Sequence, residues 1–260
     1  MNIKIIILVT ALIALTGYTV YIKKESGPGT NRSPFIVGTA GDYAPWMSIN
    51  NQGQYEGFDY DVIRAVAQTM NKELILKDLG SMSSLLIALN QGMIDAIIWG
   101  MSITQDRLQT MAMVRYQGET VTDFPLLFWQ KIPEGITSLD DMNGKTICVE
   151  PASSQDTVLS TYKTITKKYT EKVDDALLNI QYGKADAALV EPAIAKKFKK
   201  KYPEIQLLKV PLKPEYQVYG VGICIKKNNT LLIQEVQKAV NTLINNGTIN
   251  TFEKKWDIAS

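Results

Sequence analysis

Leu85–Trp99 reads LLIALNQGMIDAIIW, and Ala176–Val190 reads ALLNIQYGKADAALV. Each stretch begins as an apolar helix, is stopped by a glycine (Gly92, Gly183), and then opens a short apolar strand with Asp-Ala. A repeat of this kind predicts two lobes of similar design. Helices alternating with strands on either side of both copies, from Phe35–Gly38 and Glu73–Leu79 to Lys145–Val149 and Gln206–Val210, predict parallel α/β sheets. The two copies continue differently. The first runs into Gly100-Met101-Ser102-Ile103-Thr104 and Arg107; the second runs directly into Glu191. Equivalent strand ends in paired α/β lobes place a fixed cation and a fixed anion at the carboxyl edges of the sheets, where such folds bind ligands. One charge of each sign suits a small zwitterion, and a free amino acid is the commonest.

Composition narrows the class. With 45% hydrophobic and 21% charged residues the chain is an ordinary globular protein rather than a disordered one. The net charge of +2 includes Lys4, Lys23 and Lys24 of the terminal segment, so the body is near neutral and gives no footing for nucleic acid. The count of histidines is 0, which removes His-based triads and the usual zinc sites, and no metal or cofactor is expected. Residues Ile5–Ile22 are uncharged and mostly apolar; as a helix they reach ~27 Å, close to the hydrocarbon thickness of a bilayer. Leu15-Thr16-Gly17 resembles the start of a lipoprotein box, but Tyr18 stands where the lipidated cysteine belongs. A retained membrane anchor is therefore preferred to a cleaved signal peptide, with residues 1–32 as anchor and linker and the body exported. Cys148 and Cys224 fall in different lobes and are expected to be free, buried thiols.

Further elements are set by local signals. Pro45 excludes helix from Asp42–Trp46, Asn50–Gly53 reads as a hairpin turn, and Asp59 is a candidate cap for a helix over Tyr60–Met70. Ser81 or Ser83 caps the first repeat helix, and Asn229 caps one over Thr230–Asn245. Tyr219–Ile225 is a strand that returns to the first lobe, giving two crossings, near Thr120 and Tyr219, as a hinge.

The run Gly57-Phe58-Asp59-Tyr60-Asp61-Val62-Ile63, together with Gly100-Met101-Ser102-Ile103-Thr104-x-x-Arg107, resembles the periplasmic amino-acid-binding proteins of ABC importers, in the polar and basic amino-acid receptor group. The likeness spans Phe35 to Trp256. It implies a two-lobed, Venus-flytrap α/β fold, each lobe a mostly parallel sheet flanked by helices and joined by two hinge strands. The lobes divide as residues 33–120 plus 219–260, and 121–218. By the resemblance, Arg107, Ser102 and the Gly100 backbone hold the ligand carboxylate, with Ser154 adding a donor. Glu191, where relatives usually carry aspartate, meets the α-ammonium, and the alternative role for it is capping the helix that Pro192 begins. Tyr43, Trp46 and Trp99 form an aromatic wall, and Ala40 removes a side-chain contact that relatives often make. Glu150, with Asp42 nearby, leans the specificity to arginine, lysine or ornithine. The resemblance further implies a monomeric, non-enzymatic, periplasmic or extracytoplasmic receptor that hands its ligand to membrane importer subunits. The same fold also hosts cyclohexadienyl (prephenate/arogenate) dehydratases, in which Glu191 or Glu150 would serve as the acid; this is the alternative.

Overall fold

The structure, a computed structural model, describes residues 32–258. The expected anchor at 5–22 lies outside the described residues. Along the chain, β1 (Pro34–Thr39), β2 (Asp42–Tyr43), β3 (Met47–Ile49) and β4 (Tyr55–Glu56) lead to α1 (Phe58–Thr69), β5 (Glu73–Asp78), α2 (Met82–Gln91), β6 (Ala96–Ile97), α3 (Gln105–Thr110) and β7 (Met111–Val121). Then come β8 (Asp123–Phe128), β9 (Thr146–Val149), α4 (Ser154–Leu159), β10 (Thr166–Tyr169), α5 (Val173–Gln181), β11 (Ala187–Leu189), α6 (Pro192–Lys201), β12 (Gln206–Pro211), β13 (Val218–Lys226), α7 (Thr230–Asn245) and α8 (Thr248–Lys255).

Two five-stranded sheets share one plan. The first has the order β5-β1-β6-β13-β7 and the second β10-β9-β11-β8-β12. In the first, β13 is antiparallel to both neighbours and the other four strands run together; in the second, β8 is the reversed strand. Each reversed strand is the one that has just entered its sheet from the other lobe. The repeat seen in the sequence is thus architectural: α2–β6 and α5–β11 hold matching places. Its Asp explains itself. Asp95 accepts from the Ile36 N–H at 2.8 Å and Asp186 from the Thr146 N–H at 2.8 Å, so each carboxylate ties the repeat strand to the parallel strand beside it, β1 or β9.

Local signals in the sequence act as expected. Ser81 caps α2 by accepting from the Ser84 N–H, Gly92 ends it in a left-handed conformation, and Asn229 caps α7. On α7, Leu232, Val236, Ala239, Val240 and Leu243 form one buried face, the spacing an amphipathic helix requires. Cys148 and Cys224 are buried and free, in strands of different sheets. One expectation changes and one element went unpredicted. Gly57, not Asp59, caps α1; the helix begins at Phe58, and Asp59 sits in its first turn with its side chain directed inward and no exposed surface. Thr166–Tyr169 (TKKY), a polar edge strand, carried no hydrophobic signal to announce it.

The lobes meet at two adjacent crossings. Only Thr122 separates β7 from β8, and β13 pairs with β7 as far as Val218 and Val121. Beside this point the ladder bulges between Tyr219 and Gly222. Gly220 has φ 78°, and a Cβ there would lie 2.4 Å from the Gln117 carbonyl oxygen, so no side chain is tolerated. The largest apolar cluster extends from the first sheet, through Tyr43, Trp46 and Trp99, to Ala188 and Val190 at β11 and the helix residues Ala176 and Ile194 beside it. The binding candidates lie along this seam.

Candidate functional site

Arg107 is positioned by the start of α3, where the Thr104 hydroxyl caps the helix by accepting from the Arg107 N–H. Its guanidinium donates to the Ser102 carbonyl at 2.8 Å and, across the seam, to the Ala152 carbonyl at 3.1 Å. Ala152 sits just after β9 with φ 60°, a left-handed conformation unfavourable for a residue with a Cβ. From the opposite side, Glu191 turns its carboxylate to the hydroxyl of Ser102, which donates to it. Glu191 occupies the backbone position that caps α6, yet its side chain makes no capping bond. The capping role is set aside in favour of the seam. Arg107, from the start of α3, and Glu191, from the start of α6, therefore converge on one buried serine.

Burial pushes the Glu191 carboxyl above the usual range, opposed by the Ser102 hydroxyl and the Arg107 charge. Glu150, at the end of β9, is pushed up to about 8, first by burial and then by the charge of Glu191, with Arg107 opposing. Its Oε1 is buried and has no hydrogen-bond partner. Asp42 pairs with Lys172 across the seam at 3.3 Å.

Tyr43 and Trp99 pack with ring centroids 5.0 Å apart, and Trp46 meets Phe58 edge-on at 5.7 Å. Gly100 makes this possible: with φ 57°, a Cβ would lie 3.0 Å from Tyr43 Cε1 and 3.1 Å from Trp46 Cγ. Its N–H does not face a ligand as expected. It donates to Asp59 Oδ2 at 2.6 Å, so Gly100 serves by seating the aromatic rings. The indole N–H groups of Trp46 and Trp99 are buried without acceptors.

Ser154 is buried and donates to Gln155 Oε1 at 3.2 Å, while Ser153 is occupied in capping α4. Gln155, which the sequence did not single out, is 4% exposed, and its Nε2 has no hydrogen-bond partner. It borders a small enclosed cavity together with Tyr43, Glu150, Thr170, Val173 and Glu191. Nothing local in the sequence marked Gln155; only the turn after β9 brings it beside Glu150. A larger cavity of about 730 Å³ opens along the same seam, with Trp46, Ser102, Glu191, Thr120 and Lys196 in its wall. That volume lies within the range of small-molecule pockets. Among the described residues no cluster of metal-ligating side chains occurs. The arrangement brings together one guanidinium, two half-buried carboxylates and the aromatic side chains of Tyr43, Trp46 and Trp99, charges of both signs beside apolar surface.

The fold and this seam define a two-lobed binding protein. The chain belongs to the bacterial extracellular solute-binding proteins, family 3, which it matches over residues 35–258. Among similar proteins, a probable ABC transporter arginine-binding protein ArtJ of Chlamydia trachomatis is 28% identical over 236 residues, 90% of each chain. An arginine-binding extracellular protein ArtP of Bacillus subtilis is 26% identical over 259 residues, 97% of each. Among solved structures, the arginine-, lysine-, histidine-binding protein ArtJ of Geobacillus stearothermophilus is 26% identical with a TM-score of 0.73, covering 86% of this chain and 95% of that one. A variant of ArgBP from T. maritima is 25% identical with a TM-score of 0.77, covering 87% and 96%. The family consists of solute-binding proteins and the relatives are binding proteins, not enzymes; the dehydratase alternative finds no support. As a family member the protein works outside the cytoplasm. Among the described residues no helix is long and apolar enough to cross a membrane.

Proposed function

We propose that the protein captures a free amino acid with a cationic side chain, arginine foremost, in the seam between its lobes and delivers it to the membrane subunits of an ABC importer. One observation carries this: Arg107 and Glu191 converge on Ser102 from the starts of α3 and α6, beside the partnerless carboxylate oxygen of Glu150. In this reading Arg107 grips the α-carboxylate in a planar fork, with Ser102 and Ser154 assisting, and Glu191 holds the α-ammonium. Tyr43, Trp46 and Trp99 flank the aliphatic stem and cation, and Glu150 meets the distal charge. The names of the similar proteins, arginine-binding in ArtJ and ArtP, support the same choice of ligand.

The moving parts are residues 33–120 plus 219–260, and 121–218, hinged near Thr120 and Tyr219. Ligand bridging both parts biases the closed arrangement that the importer recognises. The receptor acts as a monomer, tethered to the membrane by residues 5–22. Titration calorimetry of the body, Ser33–Ser260, against arginine, lysine, ornithine, glutamine and glutamate tests the proposal. Arginine is expected to bind most tightly; glutamate or glutamine binding as tightly as arginine would overturn it.

A further inference from the structure

Asp59 is the one fully buried acid on α1, and the capture of an amino acid in the seam makes no direct use of it. Its two oxygens are both taken. Oδ2 accepts from the Gly100 N–H and Oδ1 from the Tyr116 hydroxyl, each at 2.6 Å. Among the described residues no cation lies within ion-pairing distance of it. A buried carboxylate without a counter-ion is costly, and a core that needed only filling would carry an apolar side chain there. The two donors explain why it is kept. Residues 100–107 form the segment that presents Ser102 and Arg107. Downstream of Gly100 this segment is stitched to β13: Gly222 donates to the Met101 carbonyl at 2.9 Å, Ile103 to Gly220 at 2.8 Å, and Tyr219 to Ile103 at 2.8 Å. At the upstream end the Gly100 N–H is held by Asp59. Gly100 is also where the chain takes a positive φ and where the Tyr43 and Trp46 rings press closest. Asp59 thereby ties together α1, the Arg107 segment and, through Tyr116, strand β7, which runs to the hinge.

We infer that Asp59 is a positioning residue for ligand capture: by holding the Gly100 N–H it sets the direction of the segment that carries Ser102 and Arg107. The inference rests on the proposed binding of an amino acid by Arg107 and Glu191. Burial pushes the Asp59 carboxyl up to about 7, opposed by these two hydrogen bonds. The neutral acid still serves, because Tyr116 can switch from donating to accepting while the carbonyl oxygen keeps Gly100. Asparagine can do the same; leucine, of similar size, cannot.

This difference makes the test. Arginine affinity by calorimetry and thermal stability are measured for the wild type, Asp59→Asn and Asp59→Leu, none of which alters a residue placed against the ligand. Asp59→Asn is expected to stay within about threefold of wild-type affinity. Asp59→Leu is expected to lose at least tenfold in affinity and, because it leaves the Gly100 N–H and the Tyr116 hydroxyl without a buried acceptor, to melt at a lower temperature. A merely structural role would lower stability in Asp59→Leu but leave the arginine affinity of the folded protein unchanged. Wild-type affinity in Asp59→Leu, or equal impairment in both variants, overturns the inference. Should Asp59→Leu not fold, the amide resonance of Gly100 in the wild-type protein decides. A far-downfield, slowly exchanging proton that moves on adding arginine supports the tie, and an ordinary, rapidly exchanging one refutes it. Absence of arginine binding by the wild type would instead overturn the proposed function.

Discussion

Glu150→Gln isolates the charge that the specificity reading depends on. The substitution keeps size and one acceptor but removes the ability to become negative. A cation about 4 Å from the carboxylate gains ~4 kcal/mol at an effective dielectric of 20. Against this, the carboxyl titrates at about 8, so ionising it at pH 7 costs about 1.4 kcal/mol. The difference, roughly 2–3 kcal/mol, corresponds to a 30- to 150-fold loss of arginine affinity, with little change for the neutral analogue citrulline. The same arithmetic sets a proton count. At pH 7 a group with a pKa near 8 is about nine-tenths protonated, so arginine binding should release most of a proton from Glu150. Calorimetry in phosphate and in Tris, whose ionisation enthalpies differ, reads this release directly. The variant should release most of a proton less than the wild type, any remainder coming from Glu191, whose carboxyl is also raised. Arginine affinity in the wild type should tighten between pH 6 and 8. Affinity within threefold of wild type together with an unchanged proton count would refute the placement of the ligand cation beside Glu150.

Arg107→Ala should weaken arginine binding by 100-fold or more, since two charge-assisted hydrogen bonds are each worth about 1.5–3 kcal/mol, while the melting temperature moves by only a few degrees; calorimetry and thermal denaturation check both. Without ligand, stability should fall as pH rises from about 4 to 8. Asp59, Glu150 and Glu191 all have raised folded-state pKa values, so the native state keeps protons that the unfolded chain releases in that window. Melting temperatures that are flat or rising from pH 5 to 8.5 would contradict this. Gly220→Ala forces a Cβ to within 2.4 Å of the Gln117 carbonyl at a positive φ, and should cost about 1–3 kcal/mol, seen as a melting temperature lower by several degrees.

Much of the fold was legible because its signals are local. Helix stops at Gly92 and Gly183, caps at Ser81 and Asn229, and the apolar face of α7 depend on residues a few positions apart. The repeat carried the deeper message: two copies of helix–glycine–strand became two sheets with the same strand order. Polar β10 escaped notice, because an edge strand needs no apolar run. The places of Arg107 and Glu191 after the two repeat strands were readable from the sequence; that both reach Ser102 was not.

The amino-acid sequence by itself determined the two-lobed α/β plan, since periodicity and stop signals act within a few residues. Tertiary structure alone decided what the buried side chains do. Asp59 resembles a helix cap in sequence, but faces a glycine 41 residues away. Glu191 could cap its own helix, but packing across the seam offers it Ser102, 89 residues away. Glu150 and Gln155 share a cavity only because the chain turns between them. In each case a polar group out of water takes the partner that distant parts of the chain bring within hydrogen-bond reach, and no local pattern encodes that choice.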